Sequence, residues 1–293
     1  MKNLIKVGFL VSYDWHLLKY AIPRIYKNAD IIHLALDKKR LTWAGNTFDF
    51  DLEAFQKMIS EIDIDHKIKL YEDDFYVSML TPMQCEVRER NMLATQMGAG
   101  GWHIQLDADE FFLDFEKFIM CLNKFNNNSK PINICIGLLN LYKKTEKGYF
   151  YIENNETKLE TVQVATNVPV YEHGRKNGHF NHQSPFFIIH DTWARSEEEI
   201  LQKIENWGHK TDFDVMKYFE FWKSINENNF QTIQDFHPIA PKTWQKLAFR
   251  KAENLKQLLD EFPLIKYPLS MFQLFLKNNR NLARIKHLYS KFF

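Results

Sequence analysis

The run Trp102-His103-Ile104-Gln105-Leu106-Asp107-Ala108-Asp109-Glu110-Phe111-Phe112 sets two carboxylates around one small residue at the end of an apolar stretch. Carboxylate oxygens suit hard divalent cations, and such ions keep positions open for phosphate oxygens. Asp107 and Asp109 are therefore candidate ligands for Mn2+ or Mg2+. The same pattern also suits a solvated acidic turn. The apolar strand before it and the Phe111-Phe112 pair after it favour a site, because charges between apolar runs need a counter-ion or water.

Other residues carry chemistry by type and position. His190 ends the apolar run Phe186 to Ile189, where its ring can enter a cleft as a further metal ligand or stay in the core as a hydrogen-bonding group. Arg90 falls on an otherwise apolar helical stripe of Met83, Val87, Ala94 and Met97. A guanidinium there needs a partner, either a core salt bridge or a diphosphate or acidic site residue. Trp43 follows Asp37, pairing an aromatic face with an acceptor for a base or ribose. Asp73-Asp74 is a competing acidic pair, with Asp74 retained as a base-binding candidate. His179 and His182 are polar groups suited to the acceptor side, and the segment around His209 and Asp212 could bind an acceptor or supply a base.

These groups need rigid elements behind them. Apolar runs at Val7 to Val11, Ile31 to Leu36, Lys67 to Tyr71 and Trp102 to Leu106 predict four strands. Helical spacing between them, at Leu17 to Ile25, Leu52 to Ile62 and Pro82 to Met97, predicts three helices. Thr81, Pro82 and Gln84 form a capping-box start, and Gly98-Ala99-Gly100-Gly101 a stop. This alternation predicts an α/β fold with a parallel or mixed sheet. Ligands of such sheets bind beyond the carboxyl ends of the strands, where the acidic cluster lies. Further on, Phe115 to Lys124 predicts a helix, and Ile132 to Tyr142, Tyr149 to Ile152 and Leu159 to Ala165 predict strands. Asn177 to Ser184 reads as a polar loop, and Ser196 with Glu199 as a second capping box. Helices are expected to dominate from Asp214 onward.

Together these motifs resemble GT-A glycosyltransferases, nearest to the bacterial family 2-like group. The resemblance spans roughly residues 4 to 245. It rests on Val7-Gly8-Phe9-Leu10-Val11-Ser12-Tyr13, on Arg90-Asn91, on the Asp107 to Asp109 motif, and on His190-Asp191-Thr192-Trp193-Ala194-Arg195-Ser196-Glu197-Glu198-Glu199-Ile200. Asn206-Trp207-Gly208-His209 and Asp235-Phe236-His237-Pro238 extend it. The resemblance implies a GT-A, Rossmann-like mixed sheet flanked by helices. It implies metal-dependent transfer of a sugar from a nucleotide-diphosphate donor to a glycan or lipid-linked acceptor, in surface polysaccharide or lipopolysaccharide synthesis. Tyr13, Asp37, Trp43, Asp74, Arg90, Asn91 and Asp107 are then expected at the donor. His179, Arg195 and His209 are expected at the acceptor, and Asp107, Asp109 and His190 at the metal. Asp191 and Asp212 are the candidates for the base. No clear Glu-Asp pair stands where the family places it, which leaves inversion or retention open. A nucleotidyltransferase is the alternative enzyme, although Gly8 stands alone where a Gly-rich phosphate loop belongs. A non-catalytic glycan-binding protein on the same fold is the other alternative.

Composition sets the outer bounds. The chain has 293 residues, 38 basic against 37 acidic, and 45% apolar residues. That excludes general disorder and gives no charge footprint for nucleic acid. Cys85, Cys121 and Cys135 are widely spaced and fit a reducing compartment. No leader-like or spanning apolar run is seen, so a cytoplasmic protein is expected, held if at all at the inner face of a membrane. Residues 1–245 read as the catalytic domain and 246–293 as a basic helical extension. In the extension Lys266, Lys277, Arg280, Arg284, Lys286 and Lys291 are interleaved with aromatic and aliphatic residues, and no acidic residue follows Glu261. Such a tail suits peripheral contact with an anionic membrane, a docked helix or a dimer contact.

Overall fold

The computed structural model describes residues 3–125, 130–153, 159–206, 213–263 and 265–282. Its centre is a ten-stranded mixed sheet. β1 (Ile5–Val11) lies between β2 (Ile31–Asp37) and β4 (Trp102–Asp107), with β3 (Ile68–Asp73) beyond β2, and all these pairings are parallel. β1 is buried throughout its length, as the unbroken apolar run predicts for a strand covered on both faces. α1 (Leu18–Tyr26), α2 (Leu52–Ile62) and α3 (Pro82–Met97) make the crossovers. α3 starts with the capping box of Thr81 and Gln84, as expected, and ends at Gly98 with φ of 75°.

Beyond β4 the sheet turns antiparallel. β5 (Glu110–Phe112) follows β4 after a two-residue turn, and α4 (Phe115–Leu122) follows β5. β6 (Ile132–Lys144) is the long strand of this half. It pairs antiparallel with β7 (Gly148–Ile152) and β8 (Thr161–Thr166), and parallel with β9 (Phe180–His190). β8 closes against β4, while β5 pairs with the far end of β9. The result is the mixed α/β sheet flanked by helices that the sequence implied.

One local expectation is corrected. Asn177 to Ser184 was expected to be a loop, yet β9 begins at Phe180. Asn133 ties its start to the sheet, donating from Nδ2 to Asn181 Oδ1 at 2.9 Å and to Asn177 Oδ1 at 2.8 Å. After Asp214 helices predominate among the described residues, as expected, but one strand lies among them. α5 (Glu197–Asn206) and α6 (Val215–Ser224) are followed by β10 (Leu247–Lys251), which extends the sheet edge along β7. α7 (Leu255–Asp260) then buries Leu255, Leu258 and Leu259 in the main core. The chain on both sides of residue 245 thus shares one sheet and one core. A second apolar cluster joins Tyr142, Trp193, Ile200, Ile204, Trp222 and Trp244, and fixes α5 and α6 against β6 and β7.

α3 packs on β1 at Gly8. A Cβ there would stand 2.8 Å from Leu93 Cδ2 and 2.9 Å from Met97 Sδ. Gly8→Val is expected to cost about 1–3 kcal/mol through overpacking, read as a lower urea midpoint with an unchanged slope. An unchanged midpoint would show that this contact does not limit the approach of α3.

Candidate active site

The strand order places the topological switch between β1 and β4, because the chain steps from β1 towards β2 and β3 and returns to β4 on the other side. Open α/β sheets bind ligands at such a point. A cavity of about 340 Å³ lies there. Leu10 to Asp14 wall it from the end of β1, and Asp107 to Asp109 from the end of β4. Thr42 and Trp43 follow β2, Glu86 and Glu89 come from α3, and His190, Lys203 and Asn206 close the remaining side.

The acidic turn is held by four cations from four segments. Arg90 on α3 reaches Asp107 Oδ1 at 2.8 Å and Glu86 Oε1 at 2.9 Å. Arg175 lies 3.6 Å from Asp107 Oδ2 and pairs with both carboxylate oxygens of buried Glu110. Glu110 Oε2 also accepts from the Asp107 backbone N–H at 3.0 Å, which sets the shape of the turn. Arg195 bridges Asp109 and Asp14, the latter at 3.2 Å. Lys203 Nζ donates to Asp109 Oδ2 at 2.8 Å. The backbone of the turn is gripped as well, since the Asp191 N–H donates to the Asp109 carbonyl at 2.9 Å.

Charge compensation decides the protonation states. Burial disfavours the ionised Asp109, but Lys203, His190 and Arg195 outweigh it and hold the carboxyl well below the usual range. Burial likewise opposes the charged Asp107, and Arg90 with Arg175 leaves its pKa lowered. Burial opposes the His190 imidazolium, and the adjacent Asp109 reverses this, so the His190 pKa is raised. His190 Nε2 lies 3.4 Å from Asp109 Oδ2, and Nδ1 lies 3.1 Å from Asn140 Oδ1.

The opposite wall is aromatic. Trp43 Nε1 donates to Glu89 Oε2 at 2.6 Å. Glu89 is buried, and desolvation lifts its pKa to about 8 against the opposing pull of the Trp43 hydrogen bond and Arg90. The Trp43 loop is tied to α5, because Thr42 Oγ1 and Asn46 Nδ2 both donate to Asn206 Oδ1, at 2.7 and 2.9 Å. α5 itself begins with the predicted capping box of Ser196 and Glu199.

The structure brings Tyr13, Trp43, Asp107, Asp109 and His190 together at the cavity. Asp37 also borders it, but its two oxygens accept from the N–H groups of Lys39, Leu41, Phe75 and Tyr76. Its acceptor capacity is spent on shaping two turns. Arg90 and Arg195 lie behind the acidic turn as structural partners. Asn91 is a staple, exchanging hydrogen bonds with the Tyr171 backbone. Asp74 does not line the cavity and pairs with Lys38 and Lys39 on the surface. Asp191 is 4% exposed, lies outside the lining and receives the Ala194 N–H at 3.2 Å. His179 precedes β9 whereas His190 ends it, so about 30 Å of strand separates them. That distance removes His179 from this cavity. His209 and Asp212 lie outside the described residues. Six participants were not anticipated: Asp14, Glu86, Glu89, Glu110, Arg175 and Lys203.

The expected metal set does not assemble. Among the described residues no three metal-ligating side chains converge. Asp107 and Asp109 have the right chemistry, but their oxygens already carry cations, those of Arg90 and Arg175 on Asp107 and those of Arg195 and Lys203 on Asp109. The side chains as arranged therefore do not fit a divalent ion on Asp107, Asp109 and His190.

No protein-family model matches the chain, and no curated protein matches its sequence. Several solved structures are similar to it in fold. A crystal structure of GalNAc-T7 with UDP, GalNAc and Mn2+ matches 76% of this chain and 52% of that one, at 11% identity and a TM-score of 0.39. S. aureus TarS 1-349 matches 80% of this chain and 70% of that one, at 11% identity and a TM-score of 0.36. A 4-diphosphocytidyl-2C-methyl-D-erythritol synthase matches 57% of this chain and 74% of that one, at 10% identity and a TM-score of 0.34. The chain spans about half the length of the GalNAc-T7 chain it matches. The fold class itself stands on the strand order and directions given above.

Glu89 gives the site a pH signature. Its folded pKa is raised, so its contribution to stability is full below about 4.5 and is lost as pH rises through about 8. Glu89→Gln removes that loss. Between pH 5 and 8.5 the melting temperature of the parent protein is expected to fall by roughly 3 °C or more relative to the variant. Parallel curves across that range would show that Glu89 titrates normally.

Proposed function

We propose that this protein is a nucleotide-sugar-dependent glycosyltransferase. The observation that carries the reading is the cavity at the β1/β4 switch point, with an aromatic wall at Trp43 and a charge-compensated acidic turn at Asp107 to Glu110. A base can lie against the indole face, as stacking requires. The diphosphate then lies towards the turn, where cationic side chains stabilise charge that develops on the leaving group. Sugar transfer needs that stabilisation, and a simple lectin site does not. The acceptor is taken as a glycan or lipid-linked glycan, and surface polysaccharide or lipopolysaccharide assembly is the setting this implies.

Hydrolysis of a panel of nucleotide sugars tests the reading without knowledge of the acceptor. The full-length protein is expected to release nucleoside diphosphate from at least one donor. Trp43→Ala should weaken nucleotide binding by about 1–3 kcal/mol, the usual worth of base stacking. Saturable glycan binding with no nucleotide binding or release would identify a glycan-binding protein instead.

We also propose that the chain touches a membrane through α8 (Met271–Lys277). Among the described residues no helix is long and apolar enough to cross a bilayer. α8 exposes Met271, Phe272 and Phe275 at 79%, 69% and 63% while burying Leu274. Lys277 ends this helix, so its apolar face is bordered by a cation. That pairing matches an anionic lipid surface. Co-sedimentation with anionic vesicles at low salt is expected, and Phe272→Ser with Phe275→Ser should reduce it several-fold. Equal sedimentation of the double variant would remove α8 from membrane contact.

A further inference from the structure

The cations around the acidic turn do not have equal access to the cavity. Arg90 and Arg195 have side chains 2% and 3% exposed, and Arg175 is 10% exposed. None of the three lines the cavity. Lys203 does line it, with 18% of its side chain exposed. Its ammonium stands 2.8 Å from Asp109 Oδ2 and 3.4 Å from the Asp191 carbonyl. An ammonium has three N–H donors. Two are accounted for, and the third is available to a ligand in the cavity.

The position is built. Lys203 lies three residues after Ile200 and one before Ile204, both fully buried, so the helix face that carries it is packed against the domain. The Ser196–Glu199 box fixes the start of that helix. Asn206 fixes its end through Thr42 and Asn46. Asp109 is in turn held by Arg195 and by the Asp191 N–H. A fixed positive point charge therefore stands on the second aspartate of the motif, at the place a divalent ion would need.

Building on the nucleotide-sugar reading, we propose that Lys203 supplies the positive charge that meets the donor diphosphate, taking the role expected of Mn2+ or Mg2+. The Asp109 carboxylate orients the ammonium, and Arg195 keeps that carboxylate in place. On transfer, the acceptor oxygen forms its bond to C1 and releases its proton to water, while the C1–O bond to the diphosphate breaks and its electron pair goes to the diphosphate oxygen. The new negative charge is then met by the Lys203 N–H rather than by a metal ion.

Isothermal titration of the full-length protein, first stripped with EDTA, tests this directly. UDP, GDP, ADP, CDP and dTDP are titrated with EDTA present and again with Mn2+. At least one nucleotide is expected to bind with affinities that agree within threefold in the two conditions. Lys203→Ala should weaken that binding at least tenfold, and Lys203→Arg by less than threefold. Should Lys203→Ala unfold, as circular dichroism would show, Lys203→Gln serves in its place. Binding that needs Mn2+, or equal binding by the parent and the neutral variants, would overturn the role of Lys203 and leave the transferase reading standing. Absence of binding by all five nucleotides in both conditions would overturn the nucleotide reading, and this inference with it.

Discussion

Compensation of charge in the Asp107 to Glu110 turn is the constraint on which the rest of the site depends. Three carboxylates within four residues repel one another, by about 4 kcal/mol for a pair a few ångströms apart at an effective dielectric near 20. They are also mostly withdrawn from water. Such a cluster persists only when each charge is paired and hydrogen-bonded. Arg90, Arg175, Arg195 and Lys203 meet that need, and each comes from a different part of the chain. The acidic turn thus gathers α3, the segment before β9, the segment after β9, and α5 around one point of the sheet.

This arrangement explains why the cavity has two contrasting walls. The ion-paired wall is assembled by long-range electrostatics across the β1/β4 boundary. The Trp43 wall is assembled by hydrogen bonds, from the indole to Glu89 and from the neighbouring loop to Asn206. α5 takes part in both, since Lys203 meets the acidic turn and Asn206 meets the Trp43 loop. A shift of that helix would therefore move the two walls together.

Much of the fold was legible in the sequence because its signals are local. The limits of α2 and α3 follow from apolar period and capping chemistry, and the buried strands β1, β2 and β4 follow from unbroken apolar runs. β9 was obscured at its start because Asn181 and His182 look like loop residues. Their place in a strand depends on a partner, Asn133, 48 residues away from Asn181 in sequence. β10 was missed for a similar reason, since a five-residue edge strand is defined by its pairing with β7. In the site, Asp107, Asp109 and His190 were visible because they end apolar runs. Lys203 carried a weaker signal, a charge on the same helical face as Ile200 and Ile204. Arg175 carried none, because it sits in an irregular segment without a period. Asp37 and Asn91 had the right residue types, but backbone partners, some local and some as far along the chain as Phe75 and Tyr171, consume their hydrogen-bonding capacity.

The Asp109 peptide is bonded to the end of β9, while its side chain is fixed by Arg195 and Lys203. A turn restrained in both backbone and side chain has little left to rearrange when a ligand arrives. An exposed acidic motif would shed ordered water and settle its rotamers at each binding event. Here that reorganisation is completed once, during folding, and its free-energy cost lies in the folding equilibrium rather than in the encounter with ligand.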